Sequence, residues 1–299
     1  MSFSSDAKAE LCRQKFDKKS CAAAECYGVL MYCNTFSPTD IRIITANADF
    51  SQRLPRLFRK AFSVEFDYLP SEACRGKRSF EITDEEKIEK ILSVYGADAG
   101  TLLSQHVNFG VLEEESDRVA FIRGAFLAGG SVTDPQKSYH LELATPHRSV
   151  SREVYSLLLD MGFSPKETHR AGNSLLYFKQ ADAIADFFTA IGASGTAMDV
   201  MTAKVDKEMR NTVTRQINCD AANAGKSVIA SQNQIRIIRQ FIAENGLDSI
   251  PDELRDTALA RITNPEASLA DLARLSIPAL TKSALNYRLK KLMKLCEEQ

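Results

Sequence analysis

The 299-residue chain has no tryptophan, only four histidines and no long apolar run. A membrane-spanning helix needs about 18 or more consecutive apolar residues, so the sequence predicts none. A basic segment followed by an apolar one, as in a secretory signal, is also not seen. No charge sign dominates, because 38 basic residues oppose 39 acidic ones. Any binding to a polyanion must therefore come from local clusters of basic residues.

Clustered metal-binding and redox residues are lacking as well. The seven cysteines are irregularly spaced without any Cys-x-x-Cys pair, and the histidines show no metal-ligand spacing. Zinc sites and disulfide frameworks need grouped thiols, so we expect reduced cysteines and a cytoplasmic protein. No glycine-rich loop with the lysine of a phosphate-binding motif occurs. The sequence thus predicts no metal and no cofactor.

Internal repetition is the main feature that the chain does have, with an offset of roughly 100 residues. Each repeat has a small-residue apolar helix, a strand, an amphipathic helix, two strands and a last helix. The first repeat has these elements at 22–32, 41–45, 51–62, 64–68, 79–83 and 84–95. The second has them at 119–128, 140–144, 151–161, 166–170, 175–178 and 181–191. The order predicts two α+β halves related by a pseudo-two-fold axis.

The first helix of each repeat is rich in alanine and glycine. Gly28 follows three alanines in one helix, and Gly124 lies in the other, which ends in a Gly-Gly turn before a strand. Small residues at matching positions predict that the two helix backbones approach closely at the axis. The alternative is a pair of ordinary alanine-rich buried helices.

The segment 203–226 is polar, small and locally basic, which predicts an ordered linker. Beyond it the pattern predicts only helices, one at 231–245 that ends at Gly246 and one that starts near Pro251. The linker offers further candidate DNA contacts, namely Arg210, Arg215, Asn218, Asn223 and Lys226.

The last 32 residues follow a helix-turn-helix plan. A short helix at 268–273 and a turn at 277–280 precede a second helix that starts near Thr281 and carries a leucine stripe. In such a motif the second helix enters the DNA major groove, N-terminus first. Between 272 and 295 basic residues occur without any acidic one, which predicts an unopposed basic face. The candidate DNA-binding residues are Arg274, Thr281, Lys282, Ser283, Asn286, Tyr287, Arg288, Lys290, Lys291 and Lys294. The alternative is a solvated basic face on an ordinary helical hairpin.

The stretch 121–132, FIRGAFLAGGSV, resembles the motif of the LAGLIDADG homing endonucleases. That motif ends in a metal-binding Asp before Gly and Ser, and metal-dependent cleavage needs such an acid in both halves. The resemblance places Gly129 at one acid position and Cys33 at the other. Neither offers a carboxylate, so we expect no catalytic residue and no enzyme activity. The alternative is an endonuclease with displaced ligands, for which Asp134 is the nearest acid.

Taken with the linker 218–223 and the segments 264–269 and 282–289, this motif resembles the WhiA family of bacterial regulators. The resemblance implies a non-catalytic protein that binds double-stranded DNA and controls transcription, sporulation, or cell division and chromosome segregation. It implies a duplicated LAGLIDADG-like α+β domain with pseudo-two-fold symmetry, followed by a small all-α helix-turn-helix domain. Other regulatory or division proteins are further expected partners. An alternative is an interaction scaffold in which only the C-terminal domain binds DNA.

The domain boundaries follow from the repeats and the composition. We expect an N-terminal extension at 1–19 and the duplicated domain at 20–202, with halves at about 20–105 and 106–202. A basic linker at 203–226 and the helix-turn-helix domain at 227–299 complete the chain.

Overall fold

The computed structural model describes residues 2–71, 76–97 and 105–297, and Cys74 lies outside them. Contacts between Cα atoms divide the chain into two compact units, Met1–Glu208 and Met209–Gln299. No helix within the described ranges combines the length and the apolarity needed to cross a membrane.

The first half of unit 1 packs helices on a small antiparallel sheet of order β1-β2-β3. In β2 the side chains of Ile41 and Ile43 are buried and that of Arg42 is exposed, as the period of two of a strand requires. The elements are α2 (Lys19–Tyr32), β1 (Thr35–Phe36), β2 (Ile41–Thr45), α3 (Ala48–Phe62), β3 (Arg78–Ile82) and α4 (Glu85–Val94).

The second half repeats this arrangement with a four-stranded antiparallel sheet of order β4-β5-β7-β6. Its elements are α5 (Glu115–Gly129), β4 (Gly130–Val132), β5 (Leu141–Thr145), α6 (Arg148–Asp160), β6 (Lys166–Arg170), β7 (Asn173–Phe178) and α7 (Ala181–Ile191). The order of the helices and strands confirms the predicted duplication.

Two predictions about the repeats were wrong. The segment 64–68 is not a strand, because only Tyr68 forms a bridge, to Glu81. The Asp67 and Tyr68 N–H groups both donate to the Glu81 carbonyl oxygen, and the Asp67 carboxylate accepts hydrogen bonds from the Thr83 and Asp84 N–H groups, so the contact with β3 does not continue as a ladder. The Gly-Gly turn is also absent, since α5 continues through Gly129 and the next residue is already extended and begins β4.

The axis of unit 1 is a close contact between α2 and α5. A Cβ atom added at Gly28 would lie 1.9 Å from the Phe121 carbonyl oxygen, and one at Gly124 would lie 2.0 Å from that of Glu25. No side chain fits in such a space, so each helix backbone packs directly on the other. The contact confirms the close approach that the small residues predict.

A buried ion network lies beside this contact. The Glu25 carboxylate accepts hydrogen bonds from the Arg53 guanidinium at 2.6 and 2.8 Å, and Arg123 donates to it at 3.4 Å. Arg53 also donates to the carbonyl oxygens of Cys12 and Gln14. The network thereby connects α2, α3 and α5 with the N-terminal segment.

That N-terminal segment, predicted as an extension, contains a helix that is part of the core. Helix α1 (Phe3–Cys12) buries Ala7 and Leu11. The Glu10 carboxylate of α1 accepts hydrogen bonds from the Gly195 and Thr196 N–H groups, at 2.7 and 2.8 Å. Glu10 therefore caps the first turn of the helix that follows α7, where backbone N–H groups have no partner within the helix.

Unit 2 is helical and has its own hydrophobic core. Helix α8 (Ser194–Asn245) begins in unit 1 and continues into unit 2, and α9 (Asp252–Thr263), α10 (Leu269–Leu275) and α11 (Lys282–Glu297) follow. The core consists of Ile238, Phe241, Ile250, Leu254, Ala258, Leu272, Ala273, Leu285, Leu289 and Leu292. The segment 203–226 is helical throughout, so a helix that begins only near residue 231 was a wrong prediction. It contains no proline to interrupt the helix.

We expect Gly124→Ala to lower the free energy of unfolding of unit 1 by about 3 kcal/mol or more, because the new methyl group meets backbone that cannot move aside. Gly225 is the matched control, since it lies in the exposed part of α8, where an added Cβ meets nothing within 4 Å beyond its own turn of the helix. There the same substitution should stabilise the helix by about 0.5–1 kcal/mol. Hydrogen exchange of α5 and α8 amides during urea titration measures the change in unfolding free energy for each substitution. The same change for both would contradict the close contact.

Candidate nucleic-acid interface

The predicted helix-turn-helix consists of α10, a loop and α11, each fixed by specific bonds. Ser268 caps α10 by accepting a hydrogen bond from the Asp271 N–H, at 3.2 Å. Thr281 caps α11 in the same way through its Oγ1 atom, 3.2 Å from the Ala284 nitrogen. Between the two helices, the Leu280 N–H donates to the Ala273 carbonyl oxygen at 2.9 Å. The start of α11 is therefore held in place relative to α10.

One face of α11 is buried and the opposite face is exposed. Leu285, Leu289 and Leu292 are buried. With about 100° per residue, the positions opposite them are Ser283, Tyr287, Lys290 and Lys294. Tyr287, at the centre of this exposed face, has 70% of its surface accessible.

The exposed face separates two of the candidate DNA-binding residues whose side chains have the donor groups to read base edges. Asn286 and Arg288 lie on opposite flanks of α11, about 160° apart around the helix axis. One docked helix cannot direct both side chains to the same part of a groove floor. Tyr287, another of the candidate residues, occupies the central position instead.

The basic face is not unopposed, contrary to the sequence prediction. Lys291 lies 3.1 Å from the Glu253 carboxylate of α9, and Arg274 lies 3.6 Å from Asp271. Asp271 lies just before the window 272–295, whereas Glu253 lies much earlier in the chain and is brought to Lys291 by α9. Within the described ranges, Lys290 has no carboxylate at ion-pair distance. Contact of the candidate residues with DNA stays a prediction.

Part of α8 is a second candidate surface, since every residue from 210 to 230 is exposed. Arg215, Asn218 and Lys226 lie within about 80° of one another and form one polar face. Arg210 and Asn223 lie on opposite sides of that face, so the structure groups only three of the five linker candidates.

The opposite side of this part of α8 carries an apolar row that the sequence analysis missed. Met209, Val213 and Ile217 are each more than half exposed. They recur every four residues, a spacing that keeps side chains on one side of a helix. That spacing is the signal in the sequence that could have found the row.

The two acid positions of the endonuclease-like motif do not fit a divalent metal ion. The Cys33 thiol is buried with its sulfur 3.2 and 3.1 Å from the Leu30 and Thr35 carbonyl oxygens. Burial raises its pKa to about 12, so the thiol stays protonated at neutral pH. A Cβ added at Gly129 would lie 2.6 Å from both the Ala144 carbonyl oxygen and the Tyr32 ring, which leaves no room for a carboxylate.

Other acids do not replace them. Among the residues that the structure describes, no group of three His, Cys, Asp or Glu side chains could hold a metal ion. Asp134, the nearest acid to Gly129 along the chain, accepts a hydrogen bond from the Gln136 N–H within its own turn.

We expect the Cys33 thiol to react with iodoacetamide slower than that of Cys219 by several orders of magnitude at pH 8. Alkylation requires the thiolate, which a pKa of about 12 suppresses, and Cys219 is exposed on α8. Peptide mass spectrometry after brief labelling measures both rates, with the urea-unfolded chain as the control in which they become similar. Equal rates in the folded chain would show that Cys33 is not buried as described.

Comparisons with known proteins agree with this architecture. The family model of the WhiA LAGLIDADG-like domain matches residues 118–210, and that of the WhiA C-terminal HTH domain matches residues 213–296. The probable cell division protein WhiA of Ruminiclostridium cellulolyticum is 35% identical over 305 residues, which cover 99% of this chain and 97% of that protein. That of Clostridium perfringens strain 13 is 31% identical over 310 residues, covering 100% and 98%.

A solved structure supports the fold over the whole chain. The crystal structure of full-length WhiA from Thermotoga maritima is similar with a TM-score of 0.62 and 25% sequence identity. The match covers 100% of this chain and 99% of that one. The α+β duplicated domain followed by a helical helix-turn-helix domain is thereby confirmed.

Proposed function

Because the chain belongs to the WhiA family, we propose that it is a transcriptional regulator that binds double-stranded DNA without cutting it. The relatives named as cell division proteins support a role in cell division, with chromosome segregation or sporulation as related processes. The observation that carries the proposal is the capped helix α11 with its exposed face of Ser283, Tyr287, Lys290 and Lys294. A protein with this role acts in the cytoplasm, at the nucleoid, and needs no cofactor.

In the proposed complex, α11 enters the major groove with its N-terminus first. The cap residue Thr281 and the first helical residues Lys282 and Ser283 then come nearest the bases, and the positive end of the helix dipole favours the adjacent phosphates. Tyr287 lies over the groove, and Lys290 and Lys294 bind the phosphate backbone along its edge. Arg274 and Lys291 contribute less, because Asp271 and Glu253 partly neutralise them.

The exposed part of α8 adds a second, weaker contact in this proposal. Arg215 and Lys226 carry positive charge, and Asn218 between them has the hydrogen-bonding groups to bind a phosphate. The apolar row of Met209, Val213 and Ile217 on the other side remains available to a regulatory or division protein. Exposed apolar side chains grouped in this way are typical of interaction surfaces.

We expect Lys290→Ala to weaken binding to all duplexes by a similar factor and to reduce the slope of log affinity against log salt by about one. The reason is that one phosphate contact, and the counterion it releases, is lost. Lys90→Ala is the matched control, because it removes the same charge from an exposed position of α4 in unit 1. Fluorescence anisotropy over a salt series measures the slopes, and the same slope for both variants would contradict the α11 interface.

We also expect no strand cleavage when the chain is incubated with a supercoiled plasmid and Mg²⁺ or Mn²⁺. Cys33 and Gly129 supply no carboxylate to hold the ions, so no hydroxide is generated at the phosphodiester. A Tyr287→Ala/Lys290→Ala double variant controls for a contaminating nuclease, since contamination would cut regardless of DNA binding by this chain. Cleavage that chelator abolishes and the double variant lacks would instead support an endonuclease with displaced ligands.

A further inference from the structure

Ile277, in the loop between α10 and α11, is the most exposed large apolar side chain of the described residues, with 91% of its surface accessible. It takes no part in the hydrophobic core of unit 2. Exposing so much apolar surface gives no stability to the fold. The side chain is therefore available for a contact outside the unit.

The loop holds Ile277 outward in a fixed position. On one side, the Ser276 hydroxyl donates to the Leu272 carbonyl oxygen at 2.9 Å. On the other side, the Leu280 N–H donates to the Ala273 carbonyl oxygen at 2.9 Å, and the Leu280 side chain packs against the core. Pro278 further restricts the backbone between these bonds. A contact made by Ile277 thus costs little ordering of the chain.

The loop also leads directly to the end of α11 that enters the major groove. Only three residues separate Ile277 from Thr281, which caps α11. A loop that immediately precedes the N-terminus of a recognition helix lies at the mouth of the groove. Within that groove the C5-methyl group of thymine is the one apolar group on the base edges.

We propose that Ile277 reads thymine through its C5-methyl group and so determines part of the DNA sequence that the chain selects. The inference rests on the DNA-binding role proposed above and adds a specificity residue whose side chain contains no polar atom. The side chain of isoleucine cannot hydrogen-bond to a phosphate or to the polar part of a base edge. Burying a methyl group against it is the contact that its chemistry allows.

The charges around the loop favour DNA over a protein as the partner. Lys282 flanks it on one side and Arg274, partly neutralised by Asp271, on the other, and the first turn of α11 has no acidic residue. A surface that combines basic groups with one apolar side chain matches the edge of a duplex, where phosphates border the base methyl groups. A protein partner would leave DNA binding by the purified chain unchanged, and the test below detects that outcome.

The test uses the full-length chain and a duplex selected by it from a random-sequence pool. Each thymine of the selected duplex is replaced in turn by deoxyuridine, which removes only the methyl group. We expect at least one replacement to weaken binding about three- to five-fold, the effect of losing one buried methyl contact. Ile277→Ala should weaken binding to the thymine duplex by a similar factor and should no longer distinguish that thymine from uracil.

Leu259→Ala is the matched control, because Leu259 is an exposed apolar residue of α9 and should leave the uracil profile unchanged. An Ile277→Ala chain that keeps the wild-type affinity and uracil profile would overturn the proposal and point to a protein partner. Equal weakening on thymine and uracil duplexes would also overturn it, since that result indicates a contact without base reading. If the DNA-binding role itself fails, no duplex is selected at all.

Discussion

Unit 1 depends on the contact between the backbones of α2 and α5. At Gly28 and Gly124 the helices are so close that an added Cβ would lie only 1.9 or 2.0 Å from a carbonyl oxygen of the other helix. A hydrogen atom in a hydrogen bond lies at about this distance from its acceptor, so a carbon atom has no room there. The same closeness continues to the helix ends, where Gly129 packs against Tyr32 of α2 and against β5. The constraint that joins the halves therefore also removes the space that a metal-binding carboxylate needs.

The buried ion network of unit 1 lies beside that contact and holds the same helices together. The carbonyl oxygen of Glu25 meets Gly124 while its carboxylate binds Arg53 and Arg123, so one residue fixes both the crossing and its surroundings. Removing charges from water costs several kcal/mol per ion, and such a cluster persists only when its hydrogen bonds are nearly all satisfied. Arg53 meets this condition by donating to the Cys12 and Gln14 carbonyl oxygens. The segment before α2 is thus required by the network, and it is not an appendage.

The parts of the fold that the sequence predicted are those with a strong local period. The leucines and phenylalanines of α3 and the alternation in β2 define both elements, and the repeat places their counterparts. The other features could not be predicted, because they depend on hydrogen bonds between residues far apart in the sequence. Examples are the bonds of Asp67 to the end of β3 and the cap that Glu10 forms on α8. In the interface, the leucine stripe of α11 could be predicted, but the Glu253 partner of Lys291 could not, because α9 brings it there. A single acid such as Glu25 within an apolar helix is the sequence signal for a buried network.

A net charge of −1 limits how this chain can bind DNA. Attraction to phosphates is long-ranged and insensitive to sequence, and in the proposed complex it comes from α11 and one face of α8. Acids reduce it further at Arg274 and Lys291. A protein with little general attraction to DNA must obtain more of its affinity from contacts that depend on the base sequence. In the proposed complex Tyr287 and Ile277 make such contacts, and these two side chains then matter more than the number of lysines.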